Sequence, residues 1–158
     1  YFIPCCSKKR TKNLIHIRKG AFQECVDLSS KIPEFNSPYK IEEYKKRCPG
    51  KYLALIAEID NQSVGFKIGY DRFNNGSFYS WMGGVLLKFR RMGVAYSLAN
   101  FQEKWAAENG FSSILLKTRK KHDEMIAFSL NRGFIITEET QITPAEETRI
   151  WMEKSLNC

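Results

Sequence analysis

The sequence predicts one α/β domain of the α+β kind, built on a mixed but mostly antiparallel sheet. Three observations predict it. The 158 residues hold no internal repeat, low-complexity tract or Pro/Ser-rich linker, so a single compact unit is expected. Apolar strand-length segments follow one another from Tyr52 to Leu87 with only turn residues between them, the pattern of an antiparallel meander. The stretch from Tyr79 to Thr118 then reads strand–helix–strand. Such a connection needs a right-handed crossover and brings a parallel pair into the sheet.

Residues 1–12 carry Lys8, Lys9, Arg10 and Lys12 and read as a solvated N-terminal tail, ahead of a domain over residues 13–158. Leu14 to Arg18 is the first strand, in which His16 alternates with apolar neighbours and takes a structural place. A helix from about Ala21 to Lys31 turns Phe22, Cys25, Val26 and Leu28 inward. Ile32 to Tyr39 holds two prolines and Asn36-Ser37 and is a loop; Ile41 to Arg47 is a short charged helix that stops before Pro49-Gly50. Tyr52 to Ile59 is a continuous apolar run suited to a sheet covered on both faces. Asp60 to Ser63 turns it into Val64 to Tyr70. Asn75-Gly76 carries the strongest hairpin signal, since both residues tolerate the positive φ of a type I′ turn, and it leads into Phe78 to Leu87. Between Met92 and Asn109, Val94, Leu98, Phe101 and Trp105 form a helical stripe that Gly110 ends. Ser113 to Lys117 is a strand, Asp123 to Asn131 a helix closing at Gly133, and Phe134 to Thr137 and Thr148 to Glu153 are the last strands.

Composition excludes several classes. A chain that is 43% hydrophobic and 13% aromatic has the apolar surface for a core and is not disordered as a whole. No run approaches the length of a membrane-spanning helix. Five cysteines at irregular spacing, without a CxxC pair, predict neither a disulfide framework nor a structural zinc; with two histidines, no metal site is expected, and a reducing cytoplasm is the expected location. The opening Tyr-Phe-Ile-Pro-Cys-Cys is too short for a signal-peptide core, and the missing initiator Met reads as a trimmed or partial chain. The net charge is +8, with +6 in residues 1–84, +6 from Val85 to Lys121 and −4 from His122 onward. That surplus predicts an anionic partner: nucleic acid, membrane surface or phosphorylated small molecule.

The chemistry concentrates where the strand ending at Val85-Leu86-Leu87 runs out and a helix begins at Arg90-Arg91-Met92-Gly93-Val94-Ala95. A helix start leaves unpaired N–H groups and the positive end of the macrodipole aimed at one spot. Gly93 and Ala95 let a phosphate approach those amides, and two arginines add charge. In isolation the segment has an ordinary reading too, with Gly93 permitting a turn and the arginines in solvent. Neither GxxxxGK[ST] nor GxGxxG is present.

Arg90 to Ala95 resembles the [Q/R]xxGx[G/A] loop of the GCN5-related N-acetyltransferase (GNAT) superfamily. Phe78-Tyr79-Ser80-Trp81-Met82-Gly83-Gly84-Val85 is similar to that family's fourth strand, Ile114 to Thr118 to its fifth, and Met125 to Phe134 to its last helix with a terminal Gly-Phe. The resemblance implies a GNAT-like fold: a six- to seven-stranded sheet, helices on both faces, and a splayed parallel strand pair. It also implies acetyl-CoA as co-substrate and direct acetyl transfer to an amine. On the family pattern, backbone groups of Val85 and Leu87 would hold the pantetheine arm. The amides of Arg90, Arg91, Met92, Gly93, Val94, Ala95 and Tyr96 would bind the pyrophosphate. Arg90, Arg91 and Lys120 or Lys121 would neutralise the nucleotide phosphates. The central +6 then belongs to the cofactor.

The departures matter as well. Leu87 stands where the family usually has proline, and the asparagine after strand five is replaced by Lys120-Lys121-His122. Ser129 holds the position of the family's general-acid tyrosine, with a shorter and much less acidic hydroxyl. The fourth strand contains no carboxylate, so a general base is left among Glu34, Glu58, Asp60 and Asp71, the last two also reading as turn residues. Trp81, Tyr79, Phe66 and Tyr70 line either an acceptor pocket or ordinary sheet packing. Two rival readings stay beside the enzyme: a GNAT-like protein that binds acyl-CoA without catalysis, and a basic nucleic-acid-binding module. The latter is disfavoured because the aromatics are not interleaved with bases. A homodimer and the identity of the amine stay open.

Overall fold

The apolar run at Tyr52–Ile59 becomes β2, with Leu53 through Ala57 all buried, as expected of a strand covered on both faces. Around it, in this computed structural model, lie the elements of residues 14–156, the part of the chain the structure describes; the tail expected over residues 1–12 lies outside them. In chain order they are β1 Ile15–Lys19, α1 Phe22–Ser29, α2 Ile41–Arg47, β2, β3 Gln62–Tyr70, β4 Ser77–Val85 and α3 Val94–Glu108. Then follow β5 Ser113–Arg119, α4 Asp123–Asn131, β6 Ile135–Thr140 and β7 Arg149–Ser155. The strands form one seven-stranded sheet in the order β1-β2-β3-β4-β5-β7-β6, antiparallel except for the parallel β4–β5 pair. No helix among the described residues is long and apolar enough to cross a membrane.

Alternation along the strands sends side chains to two cores. Leu53, Leu55 and Ala57 of β2 meet Val94, Leu98 and Ala106 of α3 on one face, with Phe134 and Ile126 beside them. Ala54 and Ile56 meet Cys25 and Leu28 of α1 and Tyr44 of α2 on the other. Helices therefore cover both faces. At Gly65 a Cβ would lie 3.0 Å from Val94 Cγ1, so β3 lets the first turn of α3 sit directly on its backbone.

The parallel pair opens. β4 and β5 pair only from Ser77↔Ser113 to Ser80↔Leu116, after which β5 continues along β7 and Met82–Val85 of β4 pair with β3 alone. A bulge at that point drives the divergence: Ile68 faces Met82 while Gly69 faces Ser80, which leaves Trp81 as the extra residue. The splay implied by the resemblance is present.

Several expectations need correction. The two-residue turn with positive φ lies at Asp60 (50°) and Asn61 (63°), between β2 and β3, not at Asn75-Gly76. The β3–β4 connection runs from Asp71 to Gly76, and its positive φ values fall on Asn74 and Gly76. Side-chain turns shape it: Asp71 Oδ1 accepts the Asn74 N–H and Asn75 Oδ1 accepts the Ser77 N–H, both at 3.1 Å. Helix α1 ends at Ser29, not Lys31, where the Ser29 and Ser30 hydroxyls donate back to the carbonyls of Val26 and Asp27. β4 stops at Val85 because Leu87–Phe89 form a 3₁₀ turn, and α3 starts at Val94, not Met92, because Arg91 and Gly93 have φ of 60° and 90°. β6 continues past Thr137 to Thr140 through a bulge against β7.

Candidate functional site

Two consecutive features bring backbone amides to the mouth of the splay. The 3₁₀ turn at Leu87–Phe89 carries the chain off the end of β4, and the left-handed Gly93 turns it into α3. A side chain at φ 90° would be strained, which is the reason for glycine there. Among the described residues, the N–H groups of Arg91 through Tyr96 have no backbone acceptor, whereas Arg90 N–H donates to Leu87 O at 3.3 Å. Those amides face a helix N-terminus, where an anion is stabilised by the dipole as well as by direct hydrogen bonds.

The cations near this turn divide into two kinds. Arg90 is a brace: Nε donates to Val85 O at 3.1 Å, and Nη1 and Nη2 grip Glu34 at 2.6 and 2.8 Å. That pins the loop after α1 to the exit of β4. Arg90 is therefore committed to protein, against the expectation that its guanidinium meets phosphate. Arg119 and Lys121 are likewise tied to Glu147, each at 2.6 Å. Among the described residues Lys88, Arg91 and Lys120 have no carboxylate within ion-pair distance and are exposed.

Below the mouth, on the α3/α4 face, a small cavity is lined by Lys67, Ser80, Gln102, Ser129, Arg132 and apolar neighbours such as Phe128. Ser129 is 1% exposed, and its hydroxyl donates to Met125 O at 2.9 Å. Its proton is thereby engaged within α4. Lys67 stands in β3 opposite Gly83 of the unpaired part of β4, half-buried. Burial, reinforced by Arg132 and opposed by Glu103, pushes its ammonium down to about 8. Glu103 does not pair with it, being bridged by Arg132 and Lys154. Gln102 Nε2, buried in the same lining, has no hydrogen-bond partner among the described residues. An orphaned buried donor in the same lining as the Lys67 ammonium is a site that fits a polar acyl or amide group. Lys67 escaped the sequence reading, although a lone lysine inside the apolar Val64-Gly65-Phe66-Lys67-Ile68 was a visible signal.

Of the four carboxylates considered as bases, none lies at the cavity. Glu34 is held well below the usual carboxylate range by hydrogen bonds from Arg90. Glu58 pairs with Arg18 at the far side of the sheet, Asp60 sits in the β2–β3 turn, and Asp71 shapes the β3–β4 loop. The opposite, α1/α2 face of the splay carries a continuous aromatic floor. Trp81 lies 5.1 Å from Tyr44 and 5.9 Å from Tyr70; Tyr79 lies 5.6 Å from Tyr70 and 6.0 Å from Trp151. Phe66, expected among these, is fully buried against Phe35 instead.

Comparison with known proteins agrees with this layout. Residues 15–134 match the acetyltransferase (GNAT) family. Among solved structures, the ribosomal-protein-S18-alanine N-acetyltransferase of Escherichia coli superposes with a TM-score of 0.79 at 14% identity, covering 92% of this chain and 96% of that one. Ard1 of Thermoplasma volcanium gives 0.75 at 20% identity, over 89% and 97%. An aminoglycoside 6′-N-acetyltransferase complexed with coenzyme A gives 0.75 at 18%, over 90% and 98%. At such identities the likeness is one of fold. No curated protein sequence matches the chain.

Proposed function

The chain belongs to the acetyltransferase (GNAT) family, and from that premise we propose that it transfers the acetyl group of acetyl-CoA directly to a primary amine. The observation that carries the proposal is the run of unpartnered amides from Arg91 to Tyr96 opening onto the half of β4 that has lost β5. The cofactor supplies a thioester whose carbonyl carbon is open to attack by an amine lone pair; the C–N bond forms, the C–S bond breaks, and sulfur leaves with the electron pair. The amides of Arg91, Met92, Gly93, Val94, Ala95 and Tyr96 bind the pyrophosphate, with Arg91 and Lys120 as countercharges. Backbone groups of Val85 and Leu87 hold the pantetheine arm, and Arg90 keeps the turn in place through Glu34. Gln102 supplies a buried donor to the acyl arm.

Lys67 provides the proton for the sulfur, a role that Ser129, with its hydroxyl engaged to Met125, is poorly placed to fill. The proton released by the amine leaves to water at the open mouth. A reducing cytoplasm suits the two buried free thiols, Cys25 and Cys48.

The test is a thermal shift followed by turnover. Acetyl-CoA at about a hundred times its Kd contributes about 2.7 kcal/mol, a rise of about 5–10 °C in Tm for a domain of this size. Thiol release with a panel of amines then separates catalysis from mere binding. Absence of any shift would sink the proposal.

A further inference from the structure

The aromatic floor on the α1/α2 face carries cations. Arg47 Cζ stands 4.8 Å from the ring centroid of Trp81 and 5.2 Å from that of Tyr39. Arg72 Cζ stands 4.8 Å from Tyr79 and 5.8 Å from Trp151, and Lys117 Nζ lies 5.5 Å from Trp151. These three come from α2, the β3–β4 loop and β5, segments far apart in sequence, and the fold brings them over one floor. Their charges are poorly compensated. Arg47 pairs with Glu43 at 2.8 Å, but Arg72 and Lys117 have no carboxylate within ion-pair distance among the described residues. Glu138 and Glu153, on the same face by register with Trp151 and Leu115, do not reach them. The crowding is felt by Lys117, whose ammonium is held below its ordinary range by burial and then by Arg72, Arg149, Arg47 and Arg119.

The location suits a substrate surface. Trp81 is the bulged residue at which β4 leaves β5, so the floor lies directly behind the splay. The free amides and the Lys67 cavity take the opposite face for the cofactor. Resting on the acetyl-transfer reading above, we infer that the acceptor is an amino-carboxylate: a primary amine with an apolar or aromatic body and a nearby carboxylate. The carboxylate sits between Arg72 and Lys117, the body lies against the half-buried rings of Trp81 and Trp151, with buried Tyr79 beneath them, and the amine points through the gap. Its lone pair forms the C–N bond as the C–S bond breaks. Polycationic amines are repelled by the uncompensated charges of Arg72 and Lys117.

Matched acceptors test this. Thiol release from acetyl-CoA is measured with phenylalanine and with phenethylamine, which differ only by the carboxylate, and with spermidine and kanamycin as cationic acceptors. The expected result is a kcat/KM at least tenfold higher for phenylalanine than for phenethylamine, with spermidine and kanamycin lowest. Arg72→Gln and Lys117→Gln should each shrink the ratio while leaving the acetyl-CoA thermal shift unchanged. A second readout is quenching of tryptophan fluorescence by phenylalanine in the presence of CoA, expected to weaken in both variants. Preference for phenethylamine, spermidine or kanamycin overturns the inference. So does silence from phenylalanine in both turnover and fluorescence while the acetyl-CoA shift persists. Loss of that shift in the native protein would instead strike the acetyl-transfer reading.

Discussion

The two faces of the sheet at the β4–β5 gap are made of different materials. On the α3/α4 face the groups proposed to bind anions are backbone amides of one short segment, Arg91 to Tyr96, aimed by a single left-handed glycine. On the α1/α2 face the groups proposed to do so are side chains, Arg72 and Lys117, which lie with Arg47 over rings from β4, β7 and the loops. A backbone site needs only the correct chain path and tolerates almost any side chain around it. A side-chain site depends on residues contributed by separate elements and changes whenever one of them changes. The first arrangement suits a cofactor shared across a family, the second a substrate particular to one protein.

The largest effect should come from breaking the backbone side. Gly93→Glu places a side chain at φ 90°, which costs about 1–2 kcal/mol locally, and adds a negative charge where phosphates bind. A Cβ there meets nothing nearer than Ile15 Cδ1 at 3.8 Å, so the fold should persist with an unchanged circular dichroism spectrum. Calorimetry should show CoA affinity falling at least ~100-fold, about 2.8 kcal/mol. An unchanged Kd would mean the amides are not the anion site, and the contrast between the faces would collapse.

This difference in materials also decides what the sequence reveals. Gly93 and the helical stripe that follows lie within one contiguous stretch, so the turn, α3 and the parallel crossover are legible from local pattern. The same holds for β2 and for the helix ends at Gly110 and Gly133, both left-handed. Arg72, Lys117 and Trp151 meet only after β3, β4, β5 and β7 have paired, and nothing local announces them. Local sequence points to a type I′ turn at Asn75-Gly76 because turn preference is satisfied there as well as at Asp60-Asn61, where the structure has it. The side-chain hydrogen bonds of Asp71 and Asn75 within the loop hold a longer connection instead. Arg90, by contrast, reads as a phosphate ligand because its partner Glu34 lies 56 residues away.

A middle effect tests Lys67, the side chain on the cofactor face proposed to donate a proton. Lys67→Met should lower kcat by about 10–100-fold, in the range of lost acid–base assistance, while CoA affinity changes little. In the native enzyme, kcat should fall as pH rises through about 8, because the donating ammonium is lost, and the variant should lack that limb. Stability runs the other way. A lysine whose folded pKa lies below its unfolded one destabilises the fold at neutral pH, and the penalty is relieved only as pH rises from about 8 toward the ordinary lysine range. Lys67→Met should therefore raise Tm at pH 7 while slowing turnover. A purely structural lysine would not produce that opposition.

The smallest effect concerns a contact that joins the two faces. Glu34 belongs to the loop after α1, and Arg90 to the turn that precedes α3. Their two-point grip is substantially exposed, with Glu34 at 49%, so solvent screening holds its worth to about 0–1 kcal/mol. Arg90→Gln and Glu34→Gln should each raise the CoA Kd a few-fold, and the double variant should be no worse than either, because both remove the same brace. The hydrogen bonds from Arg90 hold the Glu34 carboxyl below its usual range. The coupling is therefore complete above that usual range and disappears as pH falls through the lowered value. A cycle that gave strictly additive losses would show Arg90 acting on phosphate by itself, returning it to the cofactor side and leaving the loop of the acceptor face mechanically independent of the turn.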